Sequence, residues 1–130
     1  MDTGVAYAFY DRDDAWHMAV KQPFETQRGG LVLPAPVIPE LDYLLGKRLG
    51  RPARLGFLED MIAGVYSVQP VPVELFENVR ALEVRYSNLD LGFVDASVVT
   101  VARWLQCPQV ATLDQRHFAA MAREFGLTQY

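Results

Sequence analysis

The 130-residue chain has one cysteine, Cys107, and no long apolar run. A lone cysteine cannot form an internal disulfide, and the chain does not open with the charged and apolar segments of a secretory leader. Charges and prolines interrupt every apolar stretch before the roughly 20 residues that a membrane-spanning helix needs. We therefore expect a protein of the reducing cytoplasm with no membrane partner.

Positive charge is also scarce, since 12 Lys and Arg face 16 Asp and Glu, for a net charge of −4. This balance argues against a general coat for nucleic acids, because such binding depends on neutralising phosphates. It does not exclude a nuclease, whose metal-binding carboxylates make the total acidic. With 51% hydrophobic residues, we expect one domain, residues 1–130, around one core.

Short apolar segments alternate with helical patterns along the chain. Such alternation predicts parallel strands joined by right-handed crossovers, hence a three-layer α/β/α domain with a mainly parallel central sheet. The predicted strands are "LVLP", "VYSVQ", "QVATL" and "LTQY". The predicted helices cover "GVAYAFYD", "DDAWHMAV", residues 36–49, 52–63, 73–86 and 91–106, and "RHFAAMAREF".

Four acids lie at or near the junctions where a helix opens, and two of these, Glu40 and Asp114, follow a predicted strand. The carboxyl ends of parallel strands share one edge of a sheet, so these acids can converge there. Converging carboxylates repel one another, and a hard divalent cation such as Mg²⁺ relieves the repulsion. The four are Asp2, Glu40, Asp95 and Asp114.

Two features qualify this interpretation. Asp95 would lie in the first turn of an apolar helix, where the helix dipole alone stabilises an acid, so that explanation stays open. His17 and His117 lack metal-ligand spacing, and we interpret each as a surface or helix residue.

Four blocks of sequence together resemble a PIN domain of the VapC type, the toxins of bacterial type II toxin–antitoxin systems. The resemblance implies a Mg²⁺- or Mn²⁺-dependent ribonuclease, usually a homodimer, that an antitoxin protein holds inactive. The blocks are "MDTGVAYAFYDRDDAWH", "LVLPAPVIPELDYLL", "LGFVDASVVTVA" and "ATLDQRHF".

Matched block by block, the resemblance implies metal-binding and catalytic roles for Asp2, Glu40, Asp95 and Asp114. It also implies that small hydroxyl side chains support the site, although a helix cap or a local backbone bond explains them as well. These hydroxyls are Thr3, Ser97 and Thr112.

Two departures from the family pattern concern the first two acids. Only Met1 precedes Asp2, where family members have a first strand, so we expect either a late start or a stunted central strand. Pro39 stands directly before Glu40 and removes a backbone donor at the helix opening, which would retilt the carboxylate.

The segment "GKRLGRPAR" is the candidate basic rim, the local positively charged surface that would hold the RNA backbone beside the acidic site. Its Arg48 and Arg51, with Lys47 and Arg54, are possible contacts for RNA phosphates or for the antitoxin, and a solvated helix end is the alternative. The apolar helices of residues 36–63 are the candidate antitoxin surface, with ordinary core packing as the alternative.

Two rival functions remain to be weighed. A haloacid-dehalogenase-type phosphotransferase needs a second acid two residues after the first, and Gly4 stands there. A catalytically silent interaction module of the same fold is the other rival, and the presence of all four acids argues against it.

Overall fold

The computed structural model describes residues 1–26, 30–107, 109–112, 115–125 and 128–129. No helix within these ranges is both long and apolar enough to cross a bilayer. The helices are α1 (Thr3–Tyr10), α2 (His17–Thr26), α3 (Val37–Arg48), α4 (Arg51–Ile62), α5 (Phe76–Arg85), α6 (Phe93–Trp104) and α7 (Gln115–Phe125). The strands are β1 (Leu31–Pro34), β2 (Tyr66–Gln69), β3 (Gln109–Val110) and β4 (Thr128–Gln129), and 3₁₀ turns occupy Val73–Leu75 and Ser87–Leu89.

The strands pair in parallel. β1 lies beside β2 with Leu31 opposite Tyr66, and α3 and α4 form the crossover between them. β3 lies beside β4 with Gln109 opposite Thr128, and α7 forms that crossover. The described strands thus form two parallel pairs joined through helices, which confirms the predicted α/β/α class with mainly parallel strands.

The start of the chain meets the end of β3. Met1 and Asp2 form no strand, but the Asp2 backbone N–H donates to the carbonyl of Ala111 at 3.0 Å. Ala111 directly follows β3, so this bond places Asp2 at the carboxyl end of that strand, the edge where the sequence predicted the working groups.

α3 packs an apolar face into the core. Val37, Leu41 and Leu45 recur every four residues and are fully buried. The helix ends at Arg48, and Gly50 follows with a φ of 94°, which residues that carry a side chain rarely adopt. Pro39 lies in the first turn, where backbone N–H groups have no helical partner, so its missing donor costs no helical hydrogen bond.

α4 presents an apolar stripe outward. Phe57 is fully buried, whereas Leu55 and Leu58 are 45% exposed and Ile62 is 86% exposed. Core packing therefore explains the apolar face of α3. It does not explain the apolar stripe of α4, because that stripe is exposed.

Candidate active site

Two of the predicted carboxylates, those of Asp2 and Asp95, line one pocket at the end of β3. Thr112 and His117 add polar groups to it, and the pocket has an accessible volume of about 30 Å³. That is room for an ion or for roughly two water molecules. The remaining walls are apolar: Val98, Val99, Val110, Phe118 and Met121.

Asp2 is held by the helix that it caps. Its Oδ1 accepts a hydrogen bond from the Val5 backbone N–H at 3.0 Å, and the residue is only 8% exposed. Burial lowers the pKa of the neighbouring Met1 α-amino group, although the Asp2 carboxylate acts in the opposite direction. A positive charge beside Asp2 is therefore less favoured than it would be in water.

Asp95 is the third residue of α6, so it lies at the positive end of that helix dipole as well as in the pocket. Its side chain is 42% exposed, and its Oδ2 lies 3.5 Å from Nδ1 of His117. The two explanations of Asp95 from sequence are thus compatible in space.

His117 is the pocket residue that the sequence interpretation missed. It does lie on a helix, α7, but its side chain is only 17% exposed and faces the pocket. Its Nε2 lies 2.7 Å from the carbonyl oxygen of Leu89. The available signal was its position three residues after Asp114, which places it in the opening turn of the helix that follows the fourth acid.

The other two predicted carboxylates are not brought into this pocket. Glu40 lies in the first turn of α3 and is exposed, and Asp114 lies outside the described residues. Within the described ranges, no group of three or more His, Cys, Asp or Glu side chains is arranged to hold a metal ion. The roles of Glu40 and Asp114 stay predictions.

The predicted supporting hydroxyls divide into two kinds. Thr112 is buried and lines the pocket. Thr3 and Ser97 are buried too, but their hydroxyl oxygens have no hydrogen-bond partner in the described part of the chain. The alternative of a helix cap or local backbone bond is therefore not seen for these two.

The oxygen donors of the pocket fit a hard divalent cation. Mg²⁺ is commonly bound by one or two carboxylates together with water and substrate phosphate, and Asp2 and Asp95 supply two. Zn²⁺ would prefer nitrogen or sulfur ligands. His117 is the one histidine that lines the pocket, and both its nitrogens face protein oxygens.

Two known proteins are similar to this chain over most of its length. Ribonuclease VapC26 of Mycobacterium tuberculosis is 29% identical over 121 residues, which cover 93% of this chain and 90% of that protein. The crystal structure of VapC20 from the same organism, a toxin that cleaves the sarcin–ricin loop, matches with a TM-score of 0.82. It is 25% identical and the match covers 92% of each chain. In sequence and in fold the chain is thus similar to VapC-type PIN-domain toxins. No protein-family model matches it.

The chain also has a groove between α3 and α4 of about 550 Å³. Arg54 is paired there with Asp42, with Nε and Oδ1 3.2 Å apart. The guanidinium of Arg48 lies 5.1 Å from the ring centre of Tyr7 on α1 instead. Of the two possible RNA contacts, Arg51 lines the groove and Arg48 packs against α1. The groove residues are Asp42, Tyr43, Gly46, Lys47, Arg51 and Arg54.

Proposed function

We propose that this chain is a Mg²⁺- or Mn²⁺-dependent ribonuclease that acts as the toxin of a toxin–antitoxin pair. The observation that carries the proposal is the position of Asp2 and Asp95 in one small pocket at the carboxyl end of β3. The family and the ribonuclease activity in the names of its relatives support the same reaction class.

Asp2 and Asp95 would hold the metal ion, with Glu40 and Asp114 as the further acids that the resemblance implies. A bound divalent ion supplies Lewis-acid activation of water and stabilises negative charge on the phosphate. The Val5 N–H fixes the orientation of the Asp2 carboxylate, which is buried, whereas the Asp95 carboxylate is partly exposed at the pocket. The pocket is too small for a nucleotide, so the scissile phosphate would approach its mouth from outside.

The α3–α4 groove offers a path for the rest of the RNA. Glu40, Tyr43 and Lys47 are spaced three and four residues apart and therefore share one side of α3. Lys47 lies about 10 Å along the helix from Glu40 at 1.5 Å per residue. We place phosphate contacts at Lys47 and Arg51, while Arg54 is largely neutralised by Asp42.

The proposal includes the partners that the resemblance implies. The chain would form a homodimer and bind a cognate antitoxin in the cytoplasm, where a free, exposed cysteine such as Cys107 stays reduced. Sedimentation of the purified protein tests the homodimer. Co-purification with the product of a small neighbouring reading frame tests the antitoxin.

A catalytically silent interaction module is the alternative. The exposed Glu40 favours it, because two carboxylates alone line the pocket among the described residues. Such a module would bind RNA or a protein without cleaving either.

Cleavage of a sarcin–ricin-loop hairpin, the RNA that VapC20 cleaves, is the first assay. We expect cleavage in Mg²⁺, none in EDTA, and none with Asp95→Asn. Asp90→Asn is the matched control, because Asp90 is an exposed acid whose φ of 51° asparagine tolerates. Cleavage that persists in EDTA, or full turnover by Asp95→Asn, would contradict the proposal.

If this hairpin stays intact, total RNA is the second substrate. If another RNA is cleaved with the same metal dependence, the proposed reaction class still holds and only the RNA target differs. Absence of cleavage of any RNA in Mg²⁺ or Mn²⁺ would favour the silent module.

A further inference from the structure

The Tyr43 ring is an aromatic surface on α3 that the core does not use. Leu41 and Leu45, two residues to either side, are fully buried, whereas Tyr43 is 61% exposed. Successive residues of a helix are about 100° apart, so Tyr43 lies on nearly the opposite side of α3 from the core. A flat ring is therefore left in contact with solvent.

The α3–α4 groove that Tyr43 lines is positively charged, although the chain as a whole has a net charge of −4. Three cations and one acid line it, which leaves a local excess of positive charge. Such an excess attracts a polyanion and disfavours an acidic occupant. The cations are Lys47, Arg51 and Arg54, and the acid is Asp42.

The Arg54 side chain fixes the floor of this groove. Its Nε and Nη2 donate to the two carboxylate oxygens of Asp42, each at 3.2 Å. Its stem lies so close to Gly46 that a Cβ at that position would overlap Cδ of Arg54. Because Arg54 is held by both α3 residues, the groove is already formed in the chain without RNA.

Lys47 places a positive charge beside the exposed ring. Its Nζ lies 5.6 Å from the centre of the Tyr43 ring, which is within the range of a cation–π attraction. A nucleotide carries a flat base next to a phosphate. The neighbouring ring and ammonium group therefore match the two parts of a nucleotide.

We propose that Tyr43 is a stacking platform for one unpaired base of the bound RNA, with Lys47 at a neighbouring phosphate. This inference rests on the proposed function, because it names the part of the RNA that the groove recognises. Every base has a flat aromatic face, so the ring adds affinity without selecting one base. Bases inside a duplex are already stacked on both sides, so Tyr43 favours single-stranded segments.

Two strands of equal length and charge separate stacking from electrostatic attraction. One is a short oligoadenylate, and the other is an abasic strand with the same sugar–phosphate backbone and no bases. Fluorescence anisotropy of each labelled strand with the full chain gives the dissociation constants, in EDTA so that metal-dependent cleavage does not consume the strand. Tyr43→Leu removes the ring and keeps an apolar residue that favours helix, and Tyr43→Phe keeps the ring.

We expect the wild type and Tyr43→Phe to bind oligoadenylate more tightly than the abasic strand. Tyr43→Leu should bind oligoadenylate about 5-fold to 150-fold more weakly, which is the value of one stack of a base on an aromatic ring. It should bind the abasic strand as the wild type does. Because no charge is removed, the salt slope of oligoadenylate binding should stay the same. The melting temperature in EDTA should also stay the same, since Tyr43 is exposed.

Trp104→Leu is the matched control, because Trp104 is a 48% exposed aromatic residue at the far end of α6. It should leave both dissociation constants unchanged, and a loss equal to that of Tyr43→Leu would overturn the inference. An equal loss for both strands in Tyr43→Leu would also overturn it, since the ring would then act only through the charge of Lys47. A wild type that binds both strands equally would overturn it as well and favour a protein, such as the antitoxin, as the occupant of the groove.

The same samples keep this inference separate from the proposed function. If the wild type prefers oligoadenylate through Tyr43 but cleaves no RNA in Mg²⁺ or Mn²⁺, the ribonuclease proposal is overturned and the stacking platform is supported. If the wild type cleaves RNA and Tyr43→Leu binds oligoadenylate with unchanged affinity, the stacking platform alone is overturned.

Discussion

Asp95→Asn should have opposite effects on stability with and without a divalent metal. The substitution keeps the size of the side chain and an oxygen that can still meet His117. Its main effect is to remove one of the two negative charges that line the pocket with Asp2. We expect the variant to melt at or above the wild-type temperature in EDTA and below it in millimolar Mg²⁺.

Three contributions set the size of these changes. Loss of the interaction with the helix dipole destabilises the variant by about 0.3 to 1 kcal/mol. Loss of repulsion from Asp2 stabilises it, and because Asp95 is 42% exposed, solvent limits that gain to about 1 kcal/mol. The two nearly cancel in EDTA. At one hundred times the dissociation constant, Mg²⁺ stabilises the wild type by about 2.7 kcal/mol, or roughly 10 °C for a chain of this length.

Thermal unfolding monitored by circular dichroism, with each protein in both buffers, is the assay. Asp90→Asn removes the same charge from an exposed acid and should respond to Mg²⁺ as the wild type does. If Asp95 served the helix dipole alone, its variant would be less stable by a similar amount in both buffers. Mg²⁺ would then shift both proteins equally, and that result would refute the metal-site reasoning.

Three further predictions concern the rest of the molecule. Lys47→Ala combined with Arg51→Ala should lower the salt slope of RNA affinity by about 1.4, from roughly 0.7 for each single-strand phosphate contact. Phe57→Ala should cost about 3 to 5 kcal/mol of unfolding free energy, and Ile62→Ser should stay within about 0.5 kcal/mol, because one is buried and the other 86% exposed. Glu40→Gln should abolish RNA cleavage and leave the melting temperature in EDTA unchanged, since this acid is exposed.

Each of these has a result that would count against it. Lys21→Ala with Arg80→Ala removes two exposed cations from other helices. If this double variant lowers the salt slope of RNA affinity by the same amount, the overall charge of the protein sets the slope and Lys47 and Arg51 make no defined phosphate contact. A cost above about 2 kcal/mol at Ile62 would mean that the α4 stripe is covered in the folded protein. Normal cleavage by Glu40→Gln would remove that acid from the site.

The helices and strands could be predicted because their signals are local. Apolar residues every three or four positions marked α3, and Gly50 marked its end because the chain there takes a positive φ. Which side of α4 is buried could not be predicted in the same way. Periodicity shows that Leu55, Leu58 and Ile62 share a side of the helix, but only packing against other elements decides whether that side is covered.

The convergence of Asp2 and Asp95 could be predicted from the order and direction of the elements, while their roles stay predictions. Asp2 and Asp95 both open helices, and the rule that working groups meet at the carboxyl ends of parallel strands brought them together correctly. His117 is 22 residues from Asp95, and its place in the pocket depends on how α7 packs beside the 3₁₀ turn at Leu89. Its position three residues after Asp114 indicates an opening helical turn near the fourth acid, but it does not indicate the contact with Leu89.

The position of both carboxylates at helix openings has a consequence for the metal-free protein. Asp2 caps α1 and Asp95 lies in the first turn of α6, so each negative charge faces the positive end of a helix dipole. Each such interaction is worth about 0.3 to 1 kcal/mol, which is comparable to the repulsion between two partly screened acids. The same backbone geometry that gathers the acids at one edge of the sheet therefore offsets much of their repulsion. The chain can fold before it binds a metal, and metal binding adds stability to a site that already exists.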